Sequence, residues 1–191
     1  IRKKRKLYWR NEERNLSIAC LAKALPPEEQ VLIMVETIDH MIHLAQHLPE
    51  YTLVMGGNED IMNRAKSRKI KIRNTIADND KARQQAVQDF QSGKIKKVIA
   101  TTVWKQAVDF QGLSVLIRAD GSPGAIASYQ IPGRLSRIAK GKTKGILIDF
   151  RDTFNDAAMR NYYARLKTYK KNGWTINHRG DVLNETFKDR L

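Results

Sequence analysis

A chain of 191 residues is long enough to form one hydrophobic core without disulfide bonds to hold it together. Its 35 lysines and arginines outnumber its 20 aspartates and glutamates, which gives a formal net charge of +15 and a pI near 10.0. This excess predicts an anionic partner, either nucleic acid or an acidic membrane surface. Cys20 is the single cysteine, which excludes a disulfide framework and a thiolate zinc site. No apolar run reaches the roughly 20 residues of a membrane span, so we expect an intracellular protein, cytoplasmic or associated with the nucleoid.

The amino-terminal segment is strongly basic and is followed by a helical pattern. Six of the first ten residues are Lys or Arg, and because the first residue is isoleucine we expect the chain to begin partway into a longer protein. Ile18, Leu21, Ala22 and Leu25 recur at the spacing of one helical face, and two prolines follow them. Residues 1–28 are therefore predicted to form a basic lead-in whose helix packs on the main domain.

From residue 29 onward, apolar runs alternate with amphipathic stretches. The runs that have the length and composition of buried strands are 31–35, 51–55, 97–100, 115–117 and 146–150. Helices are predicted after the first strand, from near Asp78 with its carboxylate as the cap, from Ser122, and over 155–171. This alternation predicts an α/β fold, a mostly parallel sheet with helices on both faces.

The predicted domain covers residues 29–154, and residues 155–191 are expected to form a basic helical extension packed on it, with residues 174–176 as an edge strand. Ligands of such sheets bind beyond the carboxyl ends of the strands. The loops expected to share that edge begin at Glu36, Gly56, Thr101 and Asp120.

Four residues between the last two predicted strands have a spacing suited to a polyphosphate. Gln130, Gly133, Arg134 and Arg137 form the pattern Q-x-x-G-R-x-x-R, which places two guanidinium groups three residues apart beside a flexible glycine. An arginine is always charged and its planar fork binds two phosphate oxygens at once, which lysine cannot do. A basic surface turn would have the same pattern, and these four residues by themselves do not separate the two interpretations.

The stretch after the strand at 97–100 brings polar groups to the same edge. Thr101 and Thr102 supply hydroxyl groups where the strand ends, and Asp109 lies just before the next strand. Hydroxyls and backbone amides at a strand-to-helix loop are suited to a phosphate backbone, and Asp109 is suited to a ribose hydroxyl or an arginine. For this stretch taken alone, a purely structural role is the alternative.

Together, the two stretches resemble motifs V and VI of the second RecA-like lobe of superfamily 2 helicases, a fold of the P-loop NTPase type. Those motifs read roughly A-T-x-x-x-x-x-G-x-D and Q-x-x-G-R-x-x-R, and a strand separates them there as it does here. Residues 31–37 stand where motif IV stands, residues 86–93 resemble the helix that precedes motif V, and the resemblance covers about residues 14–170. Ala107 departs from the family pattern, which usually has glycine at that position.

The resemblance implies that two lobes divide the work. ATP and Mg²⁺ would be held mainly by an N-terminal RecA-like lobe of the same native chain, which carries the Walker lysine and the metal-binding carboxylates. This lobe would supply Arg137 as an arginine finger, with Arg134 and Gln130 near the γ-phosphate and Gly133 and Asp109 at the nucleotide. The implied nucleic-acid contacts are Thr37, Gly57 and Thr101, and the neighbouring residues Thr102, Trp104 and Lys105 complete the predicted surface.

Two patterns in the chain imitate other kinds of site. Residues 141–143, Gly-Lys-Thr, look like the end of a Walker motif, but Ser136 stands where that motif needs glycine, and a strand follows instead of a helix. His40, His43 and His47 lie on one predicted helix at a spacing that can bind zinc. Apolar residues already define the buried face of that helix, so we expect the histidines to face outward and hold no metal.

Trp104 and the basic ends of the chain have more than one interpretation. Trp104 has three interpretations: a base-stacking residue, a wedge at a strand junction, or a side chain that packs under its loop. Packing is the favoured interpretation. The clusters Arg2–Arg10 and Arg160–Arg179 contain little or no acid between their cations, which favours contact with a nucleic-acid backbone.

These observations predict the C-terminal motor lobe of an ATP-dependent helicase or translocase that acts on DNA, with RNA as the alternative nucleic acid. The preference for DNA rests on similarity to the repair and recombination branch of the family. Two other functions stay open, a nucleic-acid-binding module that has lost ATP chemistry and a translocase subunit of a restriction or remodelling complex. An upstream lobe with a complete Walker motif would separate the motor from the binding module.

Overall fold

The computed structural model describes residues 5–56, 60–101, 104, 113–123 and 145–177, which form a parallel sheet between two layers of helices. The strands are β1 (Val31–Met34), β2 (Thr52–Val54), β3 (Ile76–Ala77), β4 (Lys97–Ala100), β5 (Val115–Arg118) and β6 (Ile146–Asp149). The helices are α1 (Glu12–Lys23), α2 (Ile38–Ala45), α3 (Ile61–Ser67), α4 (Asp80–Gln91) and α5 (Asp156–Lys171), and a π-helical turn at Arg5–Trp9 precedes α1. The predicted α/β fold is confirmed.

Neighbouring strands of the described sheet are all parallel, in the order β3-β2-β4-β1-β5-β6. Side chains of β1 alternate between the two faces: Val31 and Ile33 pack with α1, α2 and α3, whereas Leu32 and Met34 pack with α4 and α5. Both faces are therefore covered, which is why β1 reads as an uninterrupted apolar run. Within the described ranges, no helix is both long and apolar enough to cross a bilayer.

Each described helix begins at a short polar side chain that accepts a hydrogen bond from a backbone N–H in the first turn. These residues are Asn11, Thr37, Asp60, Asn79 and Asn155. The predicted cap of α4 was wrong by one residue, because Asn79 and not Asp78 accepts from the N–H of Ala82.

The carboxyl-terminal segment differs from the prediction of an edge strand at residues 174–176. No strand forms there. The ring of Trp174 stacks on Tyr169 with centroids 5.3 Å apart, and both Trp174 and Ile176 pack against the apolar cluster that contains Tyr169 and Phe90. An aromatic residue just after a helix can either join a strand or cover the core, and Trp174 covers the core.

Two elements near the side of the sheet that lies farthest from β6 were not predicted. Strand β3 has only two residues and pairs with β2, and α3 precedes it in the basic segment. Only Ile61 and Ala65 of α3 are buried, so the segment has too few apolar residues to show a helical period.

The described part of the amino-terminal segment packs on the sheet. Ile18 and Ala22 of α1 join the apolar cluster that contains β1, and Leu25 just after the helix does so as well. In the preceding turn, Tyr8 contacts the ring of Phe154 edge to face with centroids 5.1 Å apart. The lead-in helix is therefore part of the core and not a separate arm.

Candidate nucleotide and nucleic-acid site

The carboxyl ends of the central strands meet at one edge of the sheet, as predicted. Met34 of β1 is in register with Ala100 of β4 and with Arg118 of β5, and Ala100 is in register with Val54 of β2. The loops that leave this edge side by side begin at Glu36, Gly56, Thr101 and Asp120.

Thr37 begins α2 at this edge. Its side-chain oxygen accepts a hydrogen bond from the backbone N–H of His40 at 3.2 Å. The cap uses a lone pair of the oxygen, so the hydroxyl proton can still be donated to a phosphate oxygen. The N-terminus of α2 also directs backbone amides and the positive end of the helix dipole to the same side. The position is suited to the nucleic-acid contact predicted for Thr37, which stays a prediction.

Thr101 lies where β4 leaves the sheet. Its N–H donates to the carbonyl of Val54 at 3.2 Å, and its own carbonyl accepts the N–H of Trp104 at 3.3 Å. The side chain of Trp104 is buried, and its ring contacts Phe90 of α4 edge to face with centroids 5.7 Å apart. Trp104 thus packs beneath its loop in this structure, and a base could stack on it only after the ring leaves the core. The nucleic-acid contacts of Thr101 and Trp104 stay predictions.

Most of the predicted site residues lie outside the described residues. Those assigned to the nucleotide are Asp109, Gln130, Gly133, Arg134 and Arg137. Those assigned to nucleic acid are Gly57, Thr102 and Lys105. The structure describes the chain on both sides of residues 124–144, because β5 and the loop as far as Pro123 precede them and β6 follows them.

A buried ion pair that the sequence analysis missed lies just before that stretch. Arg118, the last residue of β5, donates through Nε and Nη2 to the two carboxylate oxygens of Asp120 at 3.0 and 2.9 Å. Burial acts to lower the pKa of Arg118, but the charge of Asp120 and its hydrogen bonds outweigh burial and raise that pKa. A cation at the end of an otherwise apolar strand was the available signal, because a buried guanidinium requires a paired acid.

Tyr169 of α5 connects this pair to the end of β6. Its hydroxyl donates to Oδ2 of Asp149 at 2.6 Å and accepts from Nη1 of Arg118 at 3.4 Å. Burial and then the charge of Asp149 raise the pKa of Tyr169, so the phenol keeps its proton and remains a donor. The ends of β5 and β6 are thus linked through one side chain of α5.

The prediction that the histidines of α2 face outward was wrong for His40. This side chain is fully buried, and its Nε2 lies 3.1 Å from Oδ1 of Asn15 on α1. His47 lies 3.0 Å from a carboxylate oxygen of Glu12, also on α1. The apolar pattern marked the face of α2 toward the sheet, and α1 covers an adjacent face that no apolar pattern marks.

Known proteins share both sequence and fold with this chain. Over 68 residues it is 35% identical to the ATP-dependent RNA helicase FAL1 of Kluyveromyces lactis, a match that takes in 36% of this chain and only 16% of that protein's length. The C-terminal domain of the DEAD-box protein Dbp5 superposes with a TM-score of 0.54 at 15% identity, over 89% of this chain and 83% of that one. The C-terminal part of the Fun30 ATPase domain superposes with a TM-score of 0.54 at 14% identity, over 96% of this chain and 55% of that one. At these identities, the two structures show the fold alone.

The family match covers a longer part of the chain. The family described as "helicase conserved C-terminal domain" matches residues 16–139, from within α1 through the Q-x-x-G-R-x-x-R stretch. This range takes in β1 to β5 and all the loops of the carboxyl edge described above. The chain therefore belongs to the helicase conserved C-terminal domain family, the second RecA-like lobe of superfamily 2 helicases.

Proposed function

We propose that this chain is the second motor lobe of an ATP-dependent nucleic-acid helicase or translocase. The observation that carries the proposal is the family match over residues 16–139, a range that contains both motif-like stretches. The residues proposed to act on ATP are Asp109, Gln130, Gly133, Arg134 and Arg137.

The proposed role of Arg137 is to stabilise charge during hydrolysis. Negative charge is spread over the oxygens of the γ-phosphoryl group as it passes to water, and a guanidinium offers a permanent positive charge with two parallel donors. In a two-lobed motor this charge reaches the phosphates only when the cleft closes. Hydrolysis then depends on the approach of the lobes, which couples it to movement.

The nucleotide is expected to bind as its magnesium complex, and the metal neutralises phosphate charge. In the described part of the chain, no group of three or more His, Cys, Asp or Glu side chains could hold a metal ion. Asp120 and Asp149 are already bound by Arg118 and Tyr169. As the resemblance to superfamily 2 helicases implies, we assign the magnesium and the Walker lysine to the N-terminal lobe, and no step to a metal held by the described residues.

The proposed nucleic-acid track follows the carboxyl edge of the sheet. Thr37 and Thr101 lie there, and we expect the hydroxyl group of each to contact a phosphate backbone; Thr101 is buried in this structure, so its contact requires the loop after β4 to open. The other residues proposed for this track are Gly57, Thr102, Trp104 and Lys105.

The proposed track is DNA, on the basis of resemblance to the repair and recombination branch of superfamily 2. The curated relative named above is an RNA helicase, which favours RNA. ATPase stimulation by single-stranded DNA and RNA of the same sequence separates the two, and stronger stimulation by RNA would reverse this part of the proposal.

The decisive variant is Arg137→Ala in the complete enzyme, meaning this chain together with its N-terminal lobe. We expect nucleic-acid-stimulated ATP hydrolysis to fall by about 10³-fold or more, because that is the usual contribution of an arginine finger. Affinity for nucleic acid should stay unchanged, because the finger contacts phosphates of the nucleotide. Steady-state ATPase rates and fluorescence anisotropy measure the two properties.

Arg73→Ala is the matched control. Arg73 is exposed and precedes β3, so it lies toward the amino ends of the strands, away from the proposed site. Both properties should therefore stay at the level of the unmodified enzyme. Normal turnover in Arg137→Ala would remove the arginine-finger assignment.

A further inference from the structure

Three arginines with almost no exposed surface converge on two loops at the carboxyl edge of the sheet. Arg14 of α1 binds both carboxylate oxygens of Asp152, through Nε at 2.7 Å and Nη2 at 3.1 Å. Arg165 of α5 binds Asp149 through Nε at 2.7 Å, and the third arginine is Arg118, described above. The side chains of Arg14, Arg165 and Arg118 are 5%, 0% and 1% exposed.

The other donors of these guanidinium groups bind the backbone of one short loop. This loop, residues 119–122, connects β5 to the stretch that contains the arginine motif. Its bound carbonyls are those of Ala119, Gly121 and Ser122, which accept from Arg14 at 2.9 Å, Arg165 at 2.9 Å and Arg118 at 2.7 Å. Three different elements, α1, α5 and β5, thus hold three of four consecutive residues.

The same side chains hold the chain where it returns from that stretch. Arg165 donates through Nη2 to the carbonyl of Phe150 at 2.9 Å, just after β6. Asp149 and Asp152, which bind Arg165 and Arg14, lie on either side of Phe150. Arg14 and Arg165 therefore each bridge the loop before residues 124–144 and the loop after them.

Stability alone is a weak explanation for three buried ion pairs. Removing charges from water has a cost that the attraction between them often only offsets, so apolar side chains of similar volume are often neutral or better. Planar guanidinium forks differ from apolar contacts in fixing direction, because each donor must point at its acceptor. What the cluster supplies beyond packing is the position of two loops.

We propose that Arg165 and Arg14 are positioning residues for the arginine motif, Gln130 to Arg137. They fix the two loops that flank the motif in sequence, so a shift of either loop would move an end of the stretch that carries the motif. Both residues lie outside the range 16–139 matched by the family, so α5 and the first turn of α1 add this support from beyond the matched core. The inference rests on the proposed function, because it assumes that the motif acts on ATP.

Arg165→Lys in the complete enzyme tests the proposal, because lysine keeps the charge but loses the fork that bridges Asp149, Gly121 and Phe150. A misplacement of about 1 Å can reduce a rate by about 10²-fold, so we expect kcat for ATP hydrolysis to fall by about tenfold to a hundredfold. Affinity for nucleic acid should change less than twofold. The matched control is Arg73→Lys, an exposed arginine that precedes β3 and lies away from both loops, which should keep its kcat.

A second variant separates position from stability. Arg165→Met combined with Asp149→Asn removes the ion pair and keeps an acceptor for the hydroxyl of Tyr169, but it also leaves the carbonyls of Gly121 and Phe150 without their guanidinium donors, so we expect some loss of thermal stability. The ATPase rate is therefore compared at a temperature at which circular dichroism shows the double variant to be folded, and we expect kcat still to be reduced there. Full activity in a stably folded double variant, or in Arg165→Lys, overturns the proposal.

Arg137→Ala measured in the same assay shows which idea has failed. If Arg137→Ala abolishes turnover and the Arg165 variants do not lower it, only the positioning role is lost. If Arg137→Ala turns over normally, the proposed function fails and the positioning role fails with it.

Discussion

Gly121 lies in the loop after β5, and a side chain there would collide with the amino-terminal turn. Its φ is +63°, and a Cβ would lie 2.8 Å from Cδ1 of Tyr8 and closer still to Cε1 of the same ring. Tyr8 cannot move aside freely, because its ring contacts Phe154 and the guanidinium of Arg14. Glycine is required here both for its backbone conformation and for close packing.

We predict that Gly121→Ala lowers the free energy of unfolding by about 2 to 4 kcal/mol, through left-handed strain plus overpacking. Gly173→Ala is the matched control, because Gly173 has a similar φ of +69° and no atom within 4 Å of its Cβ position. The control should lose only about 1 kcal/mol, the part that comes from strain. Urea unfolding of both variants measures the difference, and equal losses would show that the collision with Tyr8 is relieved at no cost.

At the scale of elements, α5 has two faces of opposite character. The buried face contains Ala158, Arg165 and Tyr169, which hold the helix to the sheet. The exposed cations are Arg160, Lys167, Lys170 and Lys171, with Tyr163 half exposed among them, and no acid follows Asp156 in the helix. This arrangement supports the basic surface predicted for the carboxyl-terminal segment.

We predict that replacing both Lys167 and Lys170 with Gln weakens binding to a single strand and lowers the salt slope of log affinity by about 1 to 2, because each phosphate contact contributes roughly 0.7. The control replaces Lys81 and Lys94 with Gln. Lys81 adjoins Asp80 in sequence, and Lys94 lies 3.3 Å from Asp89, so both are already near an acid. Fluorescence anisotropy over a salt series gives the slopes, and equal slopes for the two double variants would contradict a nucleic-acid role for this face.

At the scale of the whole molecule, stability should depend on pH through His40, which is buried between α1 and α2. Burial is the main cause that lowers the pKa of His40 well below its usual 6.5, and Arg14 and then His43 act in the same direction. The unfolded chain regains the ordinary pKa and binds the proton first as the pH falls. The contribution of neutral His40 to the free energy of unfolding is therefore complete above pH 6.5 and is lost progressively below it.

We predict that His40→Gln flattens the fall in unfolding free energy between about pH 7 and 5, where histidines titrate. His43→Gln keeps His40 and should retain most of the slope, although burial also lowers the pKa of His43. Asp39 does not contribute to the slope in this pH range. Burial acts to raise its pKa, but a hydrogen bond from Arg10 and the charge of Arg68 lower it below 3.8, so its contribution is lost only in stronger acid. Thermal unfolding over the pH range tests this, and an unchanged slope in His40→Gln would contradict it.

The sequence by itself determined five strands of the sheet, from β1 to β6 without β3, together with the covered faces and the edge at which the candidate site lies. The run Val31–Met34 is apolar without interruption, so it had to be a strand buried on both faces, and strands separated by helices had to run parallel. The motif spacings at Thr101 and Gln130 were also readable, because a motif is a local property of the chain. These features led to the family before any contact between distant residues was known.

Only the tertiary structure decided which polar side chains are buried and what holds them. Arg14 and Asp152 are 138 residues apart in sequence, and neither has a local pattern that marks it as half of a buried pair. His40 faces inward because α1 covers it, and Gly121 matters because Tyr8 packs over it. Local periodicity reports how much apolar surface a segment must bury, but the partner of a buried charge is set by where the whole chain brings the two groups together.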